Sequence, residues 1–447
     1  MKCLTLALAV SAALCAGQSQ AATYLVQARA MNFDAALASR IQAQGGRVVA
    51  RYPEIGVAIV EADEQFPART AGMAELQSTT RDRALKFDVP EAVPMSFADA
   101  QAVSPPNTGD NDFLFDMQWG FDAVNVPEAW EAGFRGAGAT VAVLDSGLDC
   151  THPDLVANNL AALNASFVPG ETACQVPAFP AFNHGTHVAG TIAAADNGTG
   201  VIGVAPQAKF FAVKVLSAIS GSGSFAGILQ GIVYATDNGA DVINMSLGVR
   251  GGLPINRDTR ELVSAVQRAV LYARRNNSIV IAAAGNDGID YDTIGQDAMA
   301  FPAGVQGVVA VSATAPVGWA LNPAAANLDL PASYTNTGRR LIELAAPGGD
   351  SAYPGNENCT VAGRTRPCWV FDLVMSTSTG GWSWAGGTSM ASPHVAGVAA
   401  LVIGALGGEA NVGRVENYLL RGADDLGAPG VDGIYGHGRL NAEATLD

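Results

Sequence analysis

The chain has 447 residues, too many for one small domain and enough for a large α/β domain with an accessory module. Hydrophobic residues make up 49%, which supplies a sizeable core and argues against global disorder. A formal net charge of −16 argues against nucleic acid as a partner, because phosphate neutralisation needs clustered Lys and Arg.

The chain opens with Lys2, an apolar run from Leu4 to Ala16, and small residues around Ser19-Gln20-Ala21-Ala22. This pattern predicts an export signal over residues 1–22 and a secreted product; a short buried helix is the alternative. The run is too short to span a bilayer, so no stable membrane anchor is expected. Cys15 leaves a lipid anchor or a periplasmic location as alternatives, although Leu14 is larger than lipidation sites usually accept. Once Cys3 and Cys15 leave with the signal, Cys150, Cys174, Cys359 and Cys368 remain. An even number in an exported chain suggests two disulfides. Of the three pairings open, Cys150–Cys174 with Cys359–Cys368 is the simplest; free buried thiols are the alternative.

Tyr24–Ala28 is strand-like, and Phe33–Gln44 carries Phe33, Ala36, Leu37 and Ile41 at helical spacing before Gly45-Gly46. Val48–Tyr52 and Ile55–Glu61 read as two strands around Pro53, which together give a small α+β unit. The stretch Ser104-Pro105-Pro106-Asn107-Thr108-Gly109-Asp110 reads as an exposed linker. From Phe113 onward, apolar runs at Thr140–Leu144, Lys209–Leu216, Val242–Met245, Ile279–Ala283 and Val308–Val311 alternate with helical stretches. That alternation predicts a mostly parallel sheet covered on both faces.

Three segments carry chemistry. Val141-Ala142-Val143-Leu144-Asp145-Ser146-Gly147 is an apolar strand ending in a carboxylate, and open parallel sheets gather functional groups at such ends. On its own, Asp145 reads equally as a turn residue. Asn183-His184-Gly185-Thr186-His187 has two histidines without the Glu of a HExxH zinc site. A metal-free general base at His184, with His187 packing, fits better. Gly386-Gly387-Thr388-Ser389-Met390-Ala391-Ser392-Pro393 starts an apolar helix. A hydroxyl there lies among unpaired N–H groups at the positive end of the dipole, which suits an oxygen that must carry negative charge. A plain N-cap serine is the bland alternative. Pro393 is expected in the first helical turn, where a missing N–H costs little.

In this order, Asp, His and Ser match the chain order of the subtilisin triad. The wording of the three segments resembles the subtilase family, from about Asn111 to Asn441 and including the ending Gly436-His437-Gly438-Arg439-Leu440-Asn441. The resemblance implies a subtilisin-like three-layer sandwich around a mostly parallel sheet, preceded by a small α+β prodomain. It implies a serine endopeptidase of broad specificity acting on protein or peptide substrates through Asp145, His184 and Ser389, made as an autoprocessed zymogen. By position, Asp145 orients the imidazole, His184 moves the proton, and Ser389 attacks the scissile carbonyl. Ala282-Ala283-Ala284-Gly285-Asn286-Asp287 matches the family's oxyanion segment, which gives Asn286 and the Ser389 N–H as oxyanion donors.

Gly221, Ser222 and Gly223, with Ser246, Leu247 and Gly248, match the two edges that flank an extended substrate. Ser246–Gly248 and Ala283–Gly285 would wall the pocket for the residue before the cut, with Asp287 on its rim. A structural Ca²⁺ site is implied at Asp112 and Asp154 and at the loop positions Ala195, Asn197, Thr199 and Val201, an oxygen-donor set. No catalytic cofactor is implied. Departures from the family pattern are longer stretches at 313–336 and 349–373, and Gly387 where Asn is commoner.

The expected organisation is a signal over 1–22, an inhibitory prodomain and linker over 23–110, and a peptidase domain over 111–447. The prodomain is expected to act as a partner of its own protease, with the mature chain starting near residues 100–112. The rivals are a catalytically silent binding protein on the same scaffold and a lipase-like esterase. The esterase lacks its G-x-S-x-G signature in this chain.

Overall fold

A computed structural model of the chain describes residues 21–87, 89–100, 109–295, 297–409 and 411–447. Residues 1–20 of the expected signal, with Lys2 and Cys15, and the Pro105-Pro106 pair lie outside the described residues; Ala22, the last residue assigned to that signal, begins the first strand. Two compact units divide at Arg81 and Asp82.

The first unit runs β1 (Ala22–Ala28), α1 (Ala35–Ala43), β2 (Arg47–Tyr52), β3 (Val57–Ala62), α2 (Phe66–Thr70) and β4 (Leu76–Arg81). The strands form an antiparallel sheet in the order β2-β3-β1-β4. Helix α1 starts later than its apolar spacing suggests. Asp34 is the N-cap, accepting from Leu37 N at 2.7 Å, so Phe33 lies outside the helix yet stays buried in the core.

The second unit begins with β5 (Ala84–Lys86), β6 (Ala92–Ser96) and α3 (Phe97–Ala100). Its centre is a sheet of β7 (Thr140–Asp145), β8 (Lys209–Lys214), β10 (Val242–Met245), β11 (Ile279–Ala283) and β12 (Val308–Ala315). Between β8 and β10 come the short strand β9 (Ser222–Ser224) and the helix that follows it. The central strands are parallel in the order β12-β11-β10-β7-β8, with β13 (Leu344–Pro347) parallel on the far edge of β12. Val141 and Val143 of β7 join the main core, together with helices α4 (His184–Ala193) and α7 (Thr388–Ala405). Leu144, on the opposite face of the strand, meets Gly231 of α5 (Phe225–Asp237), and α5 packs on α6 (Arg257–Arg275). Helices therefore cover both faces, the three-layer arrangement expected of a parallel sheet. Asp145 at the end of β7 and Asn286 in the loop after β11 lie at the carboxyl ends of their strands, where open parallel sheets gather functional groups.

Helix α7 is apolar all round because it is buried all round. By length and composition it could cross a membrane, yet 89% of its apolar window is inside the fold. Pro393 is the sixth residue of α7 rather than a first-turn residue. Its missing N–H releases the Ser389 carbonyl, which another group must satisfy. A hairpin of β14 (Val374–Ser378) and β15 (Gly381–Ala385) leads into α7, and β6 adds to it as a third antiparallel strand. The long stretches at 313–336 and 349–373 are joined where buried Asp372 accepts from Gly318 N and Trp319 N, both at 2.7 Å.

Candidate active site

Asp145 ends β7, and its carboxylate faces the first residue of α4. Both Asp145 oxygens lie 2.9 Å from His184 Nδ1. Both side chains are almost fully buried, so this pair works in a low-dielectric setting. The approach depends on a missing side chain: a Cβ at Gly185 would lie 2.3 Å from the Gly147 carbonyl and 3.1 Å from Asp145 Cβ. Asn183 caps α4 by accepting from Thr186 N at 2.9 Å. Its Nδ2 donates to Ser146 Oγ at 3.2 Å, which ties the cap to the residue after Asp145. Phe182 meets the imidazole edge to face, with centroids 6.1 Å apart. His184 Nε2 is buried and has no partner among the described residues.

Ser389 is the second residue of α7, which packs against α4. Its Oγ donates to the Ser246 carbonyl at 3.2 Å, and Ser246 Oγ donates back to the Ser389 carbonyl at 2.9 Å. Asn244 Nδ2 donates to Ser246 Oγ at 3.0 Å, and Asn244 Oδ1 accepts from Ser392 Oγ at 2.7 Å. Sequence reading passed over Asn244, whose only signal was a polar residue inside an apolar strand.

Asn286 follows Gly285, whose φ of +102° a side chain would strain. Asn286 Oδ1 accepts from Thr388 N and Thr388 Oγ1, both at 2.8 Å. With Oδ1 occupied, the Nδ2 group is the end left to donate. Asn336 was also missed from sequence. It braces this loop through Ala284 O at 2.9 Å and accepts from Asp287 N at 3.1 Å and Ile289 N at 2.9 Å. Gly248 abuts Gly285, and Asp287 Oδ1 accepts from Gly251 N at 2.8 Å.

The Gly221–Gly223 edge is occupied by the chain itself. Strand β5 pairs antiparallel with β9, Lys86 opposite Ser222 and Leu85 opposite Gly223. Phe87 N then donates to Gly221 O at 3.1 Å, and Phe87 bridges to Val249, next to Gly248.

His187, three residues after His184, is fully buried. Its Nε2 lies 3.2 Å from Val374 O and 3.1 Å from Ser383 O. Burial pushes its pKa down to about 3, which marks a neutral packing histidine.

Asp112, Asp154 and the 195–201 loop come together. Asp112 Oδ1 accepts from Thr199 N at 2.8 Å and Asn197 N at 3.4 Å. Asp154 Oδ2 accepts from Val201 N at 3.1 Å and Trp382 Nε1 at 2.8 Å, while Ala195 N donates to the Asp154 carbonyl at 2.7 Å. The other oxygens, Asp112 Oδ2 and Asp154 Oδ1, are buried without a partner among the described residues. Burial raises the Asp112 pKa to about 8, with Asp110 adding to the effect, and raises Asp154 to about 7. Two buried carboxylates with spare oxygens fit a hard cation. Asp110 and Asp196, not singled out from sequence, converge on Asp112, although Asp196 is already paired with Arg135 at 2.7 Å.

Cys150 is bonded to Cys174 and Cys359 to Cys368, with Cα separations of 5.5 Å and 4.8 Å.

Residues 136–438 match the model of the subtilase family. The chain belongs to the subtilase family. It is 38% identical to subtilisin Savinase of Lederbergia lenta over 331 residues, 74% of this chain and 98% of that protein. It is 37% identical to alkaline elastase YaB of Bacillus sp. (strain YaB) over 330 residues, 74% of this chain and 70% of that protein. Among solved structures, a lanthipeptide protease superposes with a TM-score of 0.61 at 28% identity, covering 74% of this chain and 95% of that one. The epidermin leader peptide processing serine protease of Staphylococcus aureus superposes with a TM-score of 0.75 over 96% of this chain and 100% of that one. At 22% identity, that last likeness speaks for the fold alone. As a subtilase, this chain is a subtilisin-like serine endopeptidase.

Proposed function

We propose that the chain is a secreted zymogen of a broad-specificity endopeptidase in which Asp145, His184 and Ser389 perform the chemistry. The observation that carries this reading is the buried His184–Asp145 pair, with Nδ1 committed to the carboxylate and Nε2 left unpartnered. A Nδ1–H held by Asp145 fixes the tautomer in which Nε2 is the base.

Ser389 Oγ exchanges the Ser246 carbonyl for His184 Nε2, loses its proton there and attacks the scissile carbon. Asp145 stabilises the imidazolium that results. The new oxyanion is held by Asn286 Nδ2 and the Ser389 N–H, donors fixed in place before the charge develops. His184 then protonates the leaving amine, and water repeats the sequence to free Ser389. The edges at Gly221–Gly223 and Ser246–Gly248 bind substrate through backbone pairing, which tolerates many sequences. Asp112, Asp154 and the loop carrying Ala195, Asn197, Thr199 and Val201 would hold a structural Ca²⁺, which supplies stability and takes no part in the chemistry.

The test is hydrolysis of a generic protein substrate, with and without a serine-directed covalent inhibitor. Ser389→Ala should fold normally and lose roughly 10⁴–10⁶-fold in turnover, the range known for subtilisin-type triads. Near-native activity in that variant would rule out the triad.

A further inference from the structure

We propose that the bond cut in maturation lies between Phe87 and Ala92, and that the mature enzyme keeps residues 92–100 as part of its own fold. The inference rests on the peptidase reading above and places its self-processing step.

The segment after Arg81 crosses the site as a substrate would. On one side, β5 pairs with β9 and Phe87 reaches Gly221 and Val249, with Leu85 and Phe87 both buried. On the other side, β6 pairs antiparallel with β15 from Ala92 opposite Ala385 to Ser96 opposite Gly381. Ala385 is only four residues before Ser389, so β6 lies on the side from which the leaving amine departs. Between the two strands, residues 89–91 line cavities beside the base and the oxyanion donor. Val89 shares a cavity with His184, Ser146 and Leu216, whereas Pro90 and Glu91 share one with Asn286 and Gly386. Base and oxyanion donor thus face the same short stretch from opposite sides.

Residues 92–100 belong to the core of the second unit. Met95 and Ala100 are fully buried in it. The Phe97 ring lies 4.8 Å from Trp382 and 5.8 Å from His152, centroid to centroid. Ser96 Oγ accepts from Asp99 N at 3.1 Å, and Asp99 pairs with Arg364 at 3.4 Å. A first cut near residues 100–112 would fall, along the chain, beyond this anchored element.

In the step itself, Ser389 Oγ bonds to the carbonyl carbon and the C–N bond breaks. The serine proton reaches the new amine through His184. Water then cleaves the ester, giving a carboxylate on the released fragment and regenerating Ser389. The released piece carries the first unit and the β5 strand. The retained piece begins within residues 88–92.

The experiment follows the purified full chain in time by intact mass and N-terminal sequencing of the first large fragment. The expected N-terminus is one of residues 88–92, with a matching small fragment, and none is formed by Ser389→Ala. The β6 amides that donate to β15 (Pro94 has none) should exchange at least about 100-fold slower than an unstructured peptide in the processed enzyme. A first cut outside 87–92, no cut, the same cut in Ser389→Ala, or no protected amide in β6 each overturn the inference. If the wild type still hydrolyses a protein substrate and binds the serine-directed inhibitor while cut elsewhere, the peptidase reading survives alone.

Discussion

Ser246 and Ser389 hold each other by two reciprocal hydrogen bonds, each hydroxyl donating to the other's carbonyl, at 2.9 and 3.2 Å. The Ser389 carbonyl is the one that Pro393, four residues later, cannot serve. Proline inside α7 thus frees a backbone acceptor at the reacting serine, and Ser246, just past the end of β10, takes it up.

Replacing Ser246 by Ala should therefore leave a buried carbonyl unsatisfied, at a cost of about 1–3 kcal/mol. The denaturant midpoint, measured in a Ser389→Ala background to prevent autolysis, reads this. An unchanged midpoint would show that another group or water serves the carbonyl.

Asn286→Leu should lower kcat by about 10²–10³-fold with little change in KM, the range seen when subtilisin itself loses such a donor. Asn286 bonds Thr388 in the resting site, so the variant's thermal midpoint should be checked alongside. A loss confined to KM would make Asn286 a substrate contact.

Chelation should lower the thermal midpoint, because a ligand that binds only the native state stabilises it by mass action. The effect should depend on pH. With pKa values raised to about 8 and about 7, Asp112 and Asp154 hold protons in the metal-free native state that the unfolded chain has already released. Metal-free stability therefore falls as pH rises from about 4 to about 8. The chelator shift should be larger at pH 8 than at pH 5, and Asp154→Ala should remove most of it. A midpoint indifferent to chelator at both pH values rejects the cation.

His394 works in the opposite sense. Burial lowers its pKa to about 4, and Nδ1 lies 2.8 Å from the Met390 carbonyl. Between about pH 4 and its unfolded value near 6.5, the unfolded chain binds more protons, so stability rises with pH across that window. On a Ser389→Ala background, the stability of the wild-type residue relative to His394→Gln should increase from pH 4 to 6.5 and level off above. A flat difference would mean that His394 is not held neutral.

Much of this protein is written locally. The strands Val242–Met245 and Ile279–Ala283 end where the apolar runs end, and Asp145, His184 and Ser389 each stand in a recognisable strand end or helix start. Such features depend on neighbours a few residues away, which a linear pattern records. Tertiary structure alone decided the rest. Asn244 and Ser246 support Ser389 from more than 140 positions away, and Asn336 braces Asn286 across another loop. The pairing of β5 and β6 was equally illegible, because backbone pairing with β9 and β15 asks little of side-chain type. Spacing and periodicity report which face of an element is apolar. They do not report which distant carbonyl is left unbonded, and that requires the chain to be folded back on itself.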